Sequence, residues 1–223
     1  MPADVLTLFD LDHTLVPHDS EQLWLDFLVS EGEVDAREAL MKSRELTERY
    51  NRGEAGAIEF SEFYLGLMAP LDVPKLEALR ERWIRDVVRP KIVPAARLIV
   101  ERHREAGDRV VVSTAVFRFL AEPQAAELGI ADVIATEPER RNDRFTGRVA
   151  GVANSREGKV ERLHAWLAER GGRLDAFRDV WVYADSINDL PLLSHATRPV
   201  AVNADPMLAA TARHAGWPIL TLG

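Results

Sequence analysis

The chain has 223 residues, 47% of them hydrophobic and 29% charged, which is enough for a sizeable core and excludes a disordered chain. Its formal net charge of −8 argues against general affinity for nucleic acid or an anionic membrane. It has no cysteine, so no disulfide or thiolate chemistry. It also has no run of 18 apolar residues and no basic segment leading into an apolar one, so the expected location is the cytoplasm.

The first signal is Val5-Leu6-Thr7-Leu8-Phe9-Asp10-Leu11-Asp12-His13-Thr14-Leu15. The apolar, β-forming run reads as a buried strand of a parallel sheet. In an open α/β sheet, ligands gather beyond the carboxyl ends of the strands, where Asp10 and Asp12 fall. Two carboxylates so close repel each other, and a hard cation such as Mg2+ compensates them while leaving room for a phosphate. The plainer reading is a strand followed by an acidic turn.

Pro17-His18-Asp19-Ser20 then reads as a turn feeding a helix, with Asp19 or Ser20 as N-cap. Glu21 and Asp26 suit the positive end of that helix, and Leu23, Trp24, Phe27 and Leu28 form its apolar face. Further helices are predicted at about 34–51, 55–68 and 73–88, broken at Asn51-Arg52-Gly53 and Ala69-Pro70-Leu71-Asp72. This helical stretch, residues 17–89, reads as a cap inserted into a core formed by residues 1–16 and 90–223.

Strands and helices alternate from there. Strands are predicted at 109–113, 132–136, 180–184, 199–202 and near 218–220. Helices are predicted at about 94–106, 117–128, 157–170 and 206–215, and residues 138–150 read as a hairpin. The fold class is α/β: a Rossmann-like, mostly parallel sheet with helices on both faces, plus the inserted four-helix cap. Thr114 ends the second predicted strand, where its hydroxyl and nearby amides suit a phosphate oxygen or the capping of the next helix. Lys159 opens a helix against the dipole, as an exposed lysine or for an electrostatic reason. Asp185-Ser186-Ile187-Asn188-Asp189 follows a strand and sets two acids four residues apart, on one face if the turn is helical.

Together these residues resemble the four-motif signature of the haloacid dehalogenase-like phosphatases. Phe9 to Leu15 is similar to the first motif, Thr114 (with Ser113 as fallback) to the second, Lys159 to the third, and Asp185 with Asp189 to the fourth. The helical insert resembles the cap of the phosphoserine-phosphatase-like branch. Phe9 to Trp24 and Tyr183 to Leu193 resemble a bacterial subgroup that includes a histidinol-phosphatase. The chain departs from phosphoserine phosphatases in having Thr114-Ala115-Val116 for a Ser followed by two glycines, and Ala184-Asp185-Ser186 for Gly-Asp-Gly.

The resemblance implies a phosphomonoesterase with Asp10 as nucleophile and Asp12 as acid/base, whose raised pKa neighbouring carboxylates would support. It implies Mg2+ held by Asp10, the Asp12 carbonyl and Asp185. Thr114, Ala115, Lys159 and Asn188 would bind phosphate, with Asp189 orienting Lys159 or a metal-bound water. Ionised Asp10, Asp185 and Asp189 then balance Mg2+ and Lys159. Asp19 falls where phosphoserine phosphatases carry a Glu near the substrate amine, and is either a contact for an amino-bearing phosphate or only a helix cap. Phosphoserine would also need a cation for its carboxylate; Arg37, Arg44, Arg49 and Arg52 share one predicted cap helix without an assignable role. Trp24, Phe27, Phe60, Phe63 and Tyr64 read mainly as core, the alternative being the lining of an apolar pocket. The expected partner is a small-molecule phosphomonoester. The alternatives are phosphotransfer to an alcohol through the same aspartyl-phosphate, or an inactive domain that binds a phosphorylated ligand or partner protein.

Overall fold

The computed structural model describes residues 4–222; residues 1–3 and 223 of the expected core lie outside that range. A six-stranded sheet forms the body, in the order β3 (Asp132–Thr136), β2 (Arg109–Phe117), β1 (Val5–Phe9), β6 (Asp179–Ala184), β7 (Arg198–Val202) and β8 (Ile219–Leu220). Every neighbouring pair is parallel. All five residues of β1 are buried because it is the inner strand, flanked by β2 and β6. The two halves of the sheet wind outward from β1, so the loops after β1 and β6 part and leave a crevice at their carboxyl ends.

Alternation along β1 divides the core. Leu6 and Leu8 join Leu163, Trp166, Leu167, Leu208 and Ala212 on one face, from α7 (Glu157–Glu169) and α9 (Pro206–Ala215). Phe9 joins Ala96, Val100, Leu120 and Ala125 on the other, from α5 (Pro94–Glu105) and α6 (Arg118–Glu127). Under this second face Thr7, His103, Asp108 and Tyr183 form a polar cluster. The two His103 ring nitrogens lie 2.6 Å from Asp108 and 2.8 Å from the Tyr183 hydroxyl.

Four helices stand between β1 and α5: α1 (Ser20–Ser30), α2 (Ala36–Asn51), α3 (Ala57–Met68) and α4 (Val73–Trp83). Asp19, Asp35 and Asp72 cap three of them, each accepting a backbone N–H three residues on. The predicted helix over 73–88 changes character at its end: after Trp83 it widens to a π-turn over Ile84–Val88 and tightens over Arg89–Lys91 before α5. Trp24, Phe27, Tyr64, Leu65, Met68, Leu76 and Trp83 pack between these helices and continue into the core on the Phe9 face.

The 138–150 excursion is a separate antiparallel hairpin of β4 (Pro138–Arg141) and β5 (Arg144–Val149). It lies against α3. The Val149 amide donates to Glu62 (3.2 Å), and a Cβ on Gly147 would stand 3.2 Å from Gly66 Cα, at a positive φ of 83°. β2 is longer than the predicted 109–113. It runs to Phe117, with an irregularity between Thr114 and Phe117 where pairing to β3 slips. Thr114 therefore sits within the bulged end of the strand, not at its terminus.

Candidate active site

Asp10 and Asp12 lie in the turn leaving β1. The Asp10 amide continues the ladder by donating to the Tyr183 carbonyl (2.9 Å). The chain then reverses, with Thr14, Leu15 and Val16 amides all donating to the Leu11 carbonyl and His13 at a positive φ of 55°. Asp10, Asp12, Asp19, Thr114, Ala115, Lys159, Asp185, Asn188 and Asp189, every site residue expected from the sequence, line one cavity of about 260 Å³. Ser113 does not; its hydroxyl faces the Asn154 side-chain amide (3.2 Å). The Thr114 hydroxyl oxygen accepts from the Val116 amide (3.2 Å), which leaves its own hydrogen free to donate to a ligand.

Lys159 is 2% exposed and links two sides of the cavity, donating to Asp10 and to Asp189, each at 2.7 Å. Burial alone depresses an ammonium, but the two carboxylates outweigh it and Lys159 is held firmly charged. Gly158 lets the helix start here, since a Cβ at that position would run into the Ala153 carbonyl oxygen. Asp185 and Asp189 follow β6 into a tight turn over Ile187–Asp189. Asp205 pins this turn, accepting from the Ile187 amide (2.8 Å) while capping α9 through the Leu208 amide (2.7 Å). Burial, then Asp10, then Asp189 push the Asp185 carboxyl up to about 8.

Asp12 is held by Ser20, whose amide donates to one carboxyl oxygen (2.8 Å) and whose hydroxyl donates to the other. Gln124 in turn donates to the Ser20 hydroxyl (2.9 Å) and meets His18 through its carbonyl oxygen (3.2 Å). The Asp12 carboxyl is pushed well above the usual range, as expected, but the main cause is burial. Asp19 comes next, Ser20 opposes, and the repulsion from Asp10 is the smallest contribution.

Sequence reasoning missed Ser20, Gln124, Asn154 and Asp205 as positioning residues. Asn154, fully buried, donates to the Thr114 and Ile134 carbonyls (2.9 Å each) and so ties the strand ends to the loop before Lys159. Its only local signal was its place in that loop. Asp19 does cap α1, through the Gln22 amide (2.8 Å), and lines the cavity as well. None of the four arginines in and just after α2 lines it: Arg49 pairs with Glu59, Arg52 with Glu54, and Arg37 and Arg44 are exposed. The α2–α3 wall consists instead of Thr47, Tyr50, Ala57, Phe60 and Ser61. Of the five aromatic residues weighed from the sequence, Phe60 alone reaches the cavity. Glu21, read as a dipole partner, is buried on the same wall as Asp19. Six carboxyl groups thus share the cavity with one lysine, and two of them, Asp19 and Glu21, lie outside the charge balance drawn from the sequence, which held Asp12 neutral.

Among the described residues, no three acid or histidine side chains converge on a point that would cage a metal. Asp10 raises the energy of the Asp185 charge, and the two fit a divalent cation that takes two carboxylates and keeps several waters, as Mg2+ does. No helix among the described residues is long and apolar enough to cross a membrane.

A hydrolase built on an open, parallel α/β sheet, with paired aspartates beyond its middle and a buried lysine bridging two acids, is the class that this fold and cavity define. The family model for haloacid dehalogenase-like hydrolases matches residues 7–194, and the chain belongs to that family. It is 36% identical to a histidinol-phosphatase from Neisseria meningitidis serogroup C over 96% of this chain and 97% of that one. A crystal structure of a protein of unknown function from Bordetella pertussis Tohama I, 44% identical, superimposes with a TM-score of 0.96 over 99% of this chain and all of that one. A substrate-bound phosphoserine phosphatase shares the fold at 18% identity and a TM-score of 0.69, over all of this chain and 94% of that one. The family match and the full-length likeness to a histidinol-phosphatase make the chain a phosphatase of this family, and its fold is that of the phosphoserine phosphatases. Mg2+ is typical of the family.

Proposed function

We propose that the chain is a Mg2+-dependent phosphomonoesterase acting on a small amino-bearing phosphate without a carboxylate, with histidinol phosphate as the best-supported substrate. The observation that carries the choice is the wall facing Asp10. It presents Asp19 and Glu21 but no arginine, and among the described residues Lys159 is the only lysine or arginine lining the cavity. A substrate ammonium finds carboxylates there. The carboxylate of phosphoserine finds no cation and meets like charge, which at about 4 Å costs roughly 4 kcal/mol at an effective dielectric of 20. The similarity to the Neisseria histidinol-phosphatase points the same way.

In this reading residues 17–89 act as a cap that closes the cavity over the substrate. Asp10 attacks phosphorus while Asp12 gives its proton to the departing alkoxide, so that the phosphorus–alcohol bond breaks as the aspartyl-phosphate forms. A water molecule then attacks the same phosphorus, Asp12 takes its proton, and phosphate leaves with Asp10 restored. Burial keeps Asp12 protonated for the first step, and Ser20 aims both of its oxygens. Lys159 and Thr114 hold phosphoryl oxygens, and Asp189 keeps Lys159 in place. Asp10, the Asp12 carbonyl and Asp185 would hold Mg2+, which when bound neutralises charge on the phosphoryl oxygens.

The test is phosphate release from histidinol phosphate, phosphoethanolamine, phosphoserine and p-nitrophenyl phosphate, with and without added alcohols. We expect histidinol phosphate to have the highest kcat/KM, at least tenfold above phosphoserine. A preference for phosphoserine overturns the substrate assignment, and phosphoryl transfer to alcohol in place of water overturns the hydrolytic one.

A further inference from the structure

Glu21 is the second residue of α1, and its place in the first turn explains a negative charge but not its burial. It is 5% exposed, and its Oε1 is fully buried without a hydrogen-bond partner in the protein. It lines the cavity that holds Asp10. A buried acceptor left open on a cavity wall is satisfied by whatever fills the cavity.

The Phe117 amide favours the charged form of this carboxyl but leaves Oε1 without a partner. Both oxygens of Asp12 are taken by Ser20, so Glu21 does not position the acid/base. Asp19 is already partly engaged, accepting from the Gln22 amide (2.8 Å) and favoured in its charged form by the Glu21 amide. Tyr50 and Phe60, with ring centroids 5.0 Å apart, form an apolar, aromatic part of the same cavity. The cavity therefore offers two acids and an aromatic wall, which is more than a primary ammonium alone requires.

We propose that Glu21 is a specificity-determining residue that accepts an N–H from a second, heteroaromatic nitrogen group of the substrate, while Asp19 takes the ammonium. The proposal rests on the amino-phosphate reading above and narrows it: the substrate class is phosphates carrying both an ammonium and an imidazole-like ring. A ring N–H between Glu21 and the aromatic wall fills the open acceptor and buries the ring's carbon atoms together. Burial, followed by Asp19 and Asp12, raises the Glu21 carboxyl well above its usual range, outweighing the Phe117 amide that favours its charged form.

The test compares wild type with Glu21→Gln, which keeps shape but loses charge, and Glu21→Asp, which keeps charge but draws it back. For each, kcat/KM is measured with histidinol phosphate, phosphoethanolamine and p-nitrophenyl phosphate, alongside product inhibition by histidinol and by ethanolamine. In Glu21→Gln, histidinol phosphate should lose at least tenfold relative to either of the other substrates on the same variant. Inhibition by histidinol should weaken by a similar factor relative to ethanolamine, and Glu21→Asp should fall between the two enzymes. Proportional losses on all three substrates, in whichever variant folds, overturn the proposal and leave Glu21 structural. A wild type that favours histidinol phosphate, with that preference intact in Glu21→Gln, overturns the role of Glu21 alone. A wild type with no preference among amino phosphates overturns the amino-phosphate reading as well.

Discussion

At the residue scale, the chemistry depends on a few groups that can be removed singly. Asp10→Asn keeps the shape of the side chain but replaces a carboxylate with a very poor nucleophile. Turnover should fall below about 1% of wild type while the fold is retained; a larger residual rate, with deamidation excluded by mass, would argue against covalent catalysis. Ser20→Ala removes the hydroxyl from Asp12 but keeps the amide contact. Hydrogen bonds to charged groups are worth about 1.5–3 kcal/mol, so kcat should drop roughly 10- to 100-fold. Because Ser20 favours the charged form of Asp12, its loss should also move the alkaline limb of the rate profile to higher pH. A loss in KM alone, with no shift of that limb, would leave Ser20 outside the catalytic step. His18 offers a test of stability against pH. Burial lowers its pKa from 6.5 to about 4, with Lys91 and His13 pushing the same way and Gln124 opposing. The unfolded chain therefore binds this proton before the folded one does. Stability from His18 is complete above about pH 6.5 and is lost as pH falls towards 4. His18→Gln should flatten the decline in melting temperature over that window; an unchanged slope would show that other groups carry it.

At the element scale, the features legible in the sequence were those set by local pattern. The six parallel strands, the four inserted helices and the hairpin all announced themselves through apolar runs, caps and turn residues. All nine expected site residues meet in one cavity because each stands next to a strand or helix end, and the order of βα units brings such ends together. Features that depend on tertiary contact were not legible. The bulge that carries β2 on to Phe117 is a matter of pairing with β3. The clasp of Asn154 on Thr114 spans 40 residues of chain. The burial of Glu21 exists only once α1 is docked, and the sequence alone offered just its favourable place in a first turn. The arginines in and just after α2 look available in the sequence because the partners of Arg49 and Arg52, Glu59 and Glu54, lie beyond that helix. The β4–β5 hairpin gives the element-level prediction. Gly147 holds a left-handed conformation against the Gly66 backbone of α3, where a side chain is both strained and crowded. Gly147→Ala should cost about 1–2 kcal/mol in urea unfolding, and an unchanged midpoint would mean that the hairpin is not seated on α3.

At the scale of the whole molecule, acids drawn from distant parts of the chain share one cavity with a single lysine, so a divalent cation bound there should stabilise the fold. Mg2+ at 100 times its dissociation constant should add about 2.7 kcal/mol. For a chain of this size that raises the melting temperature by roughly 5–10 °C. Chelation should abolish activity and Mg2+ restore it, and Asp185→Asn should lose most of the thermal shift; full activity in excess chelator would remove Asp10 and Asp185 from the metal. The order of the strands has a consequence in time. β1, which presents Asp10, lies between two strands that are made much later, β2 and β6. On a ribosome adding about 5–20 residues per second, the interval between Asp10 and Asp189 lasts about 10–35 s. For most of it Asp10 has no completed sheet and no Lys159, and the acids Asp185 and Asp189 arrive only at its end. The helices α1–α4 emerge before most of the sheet against which they pack. The cavity is therefore incomplete until late in synthesis, and the slowest folding events should be those that seat the earliest strand among the latest.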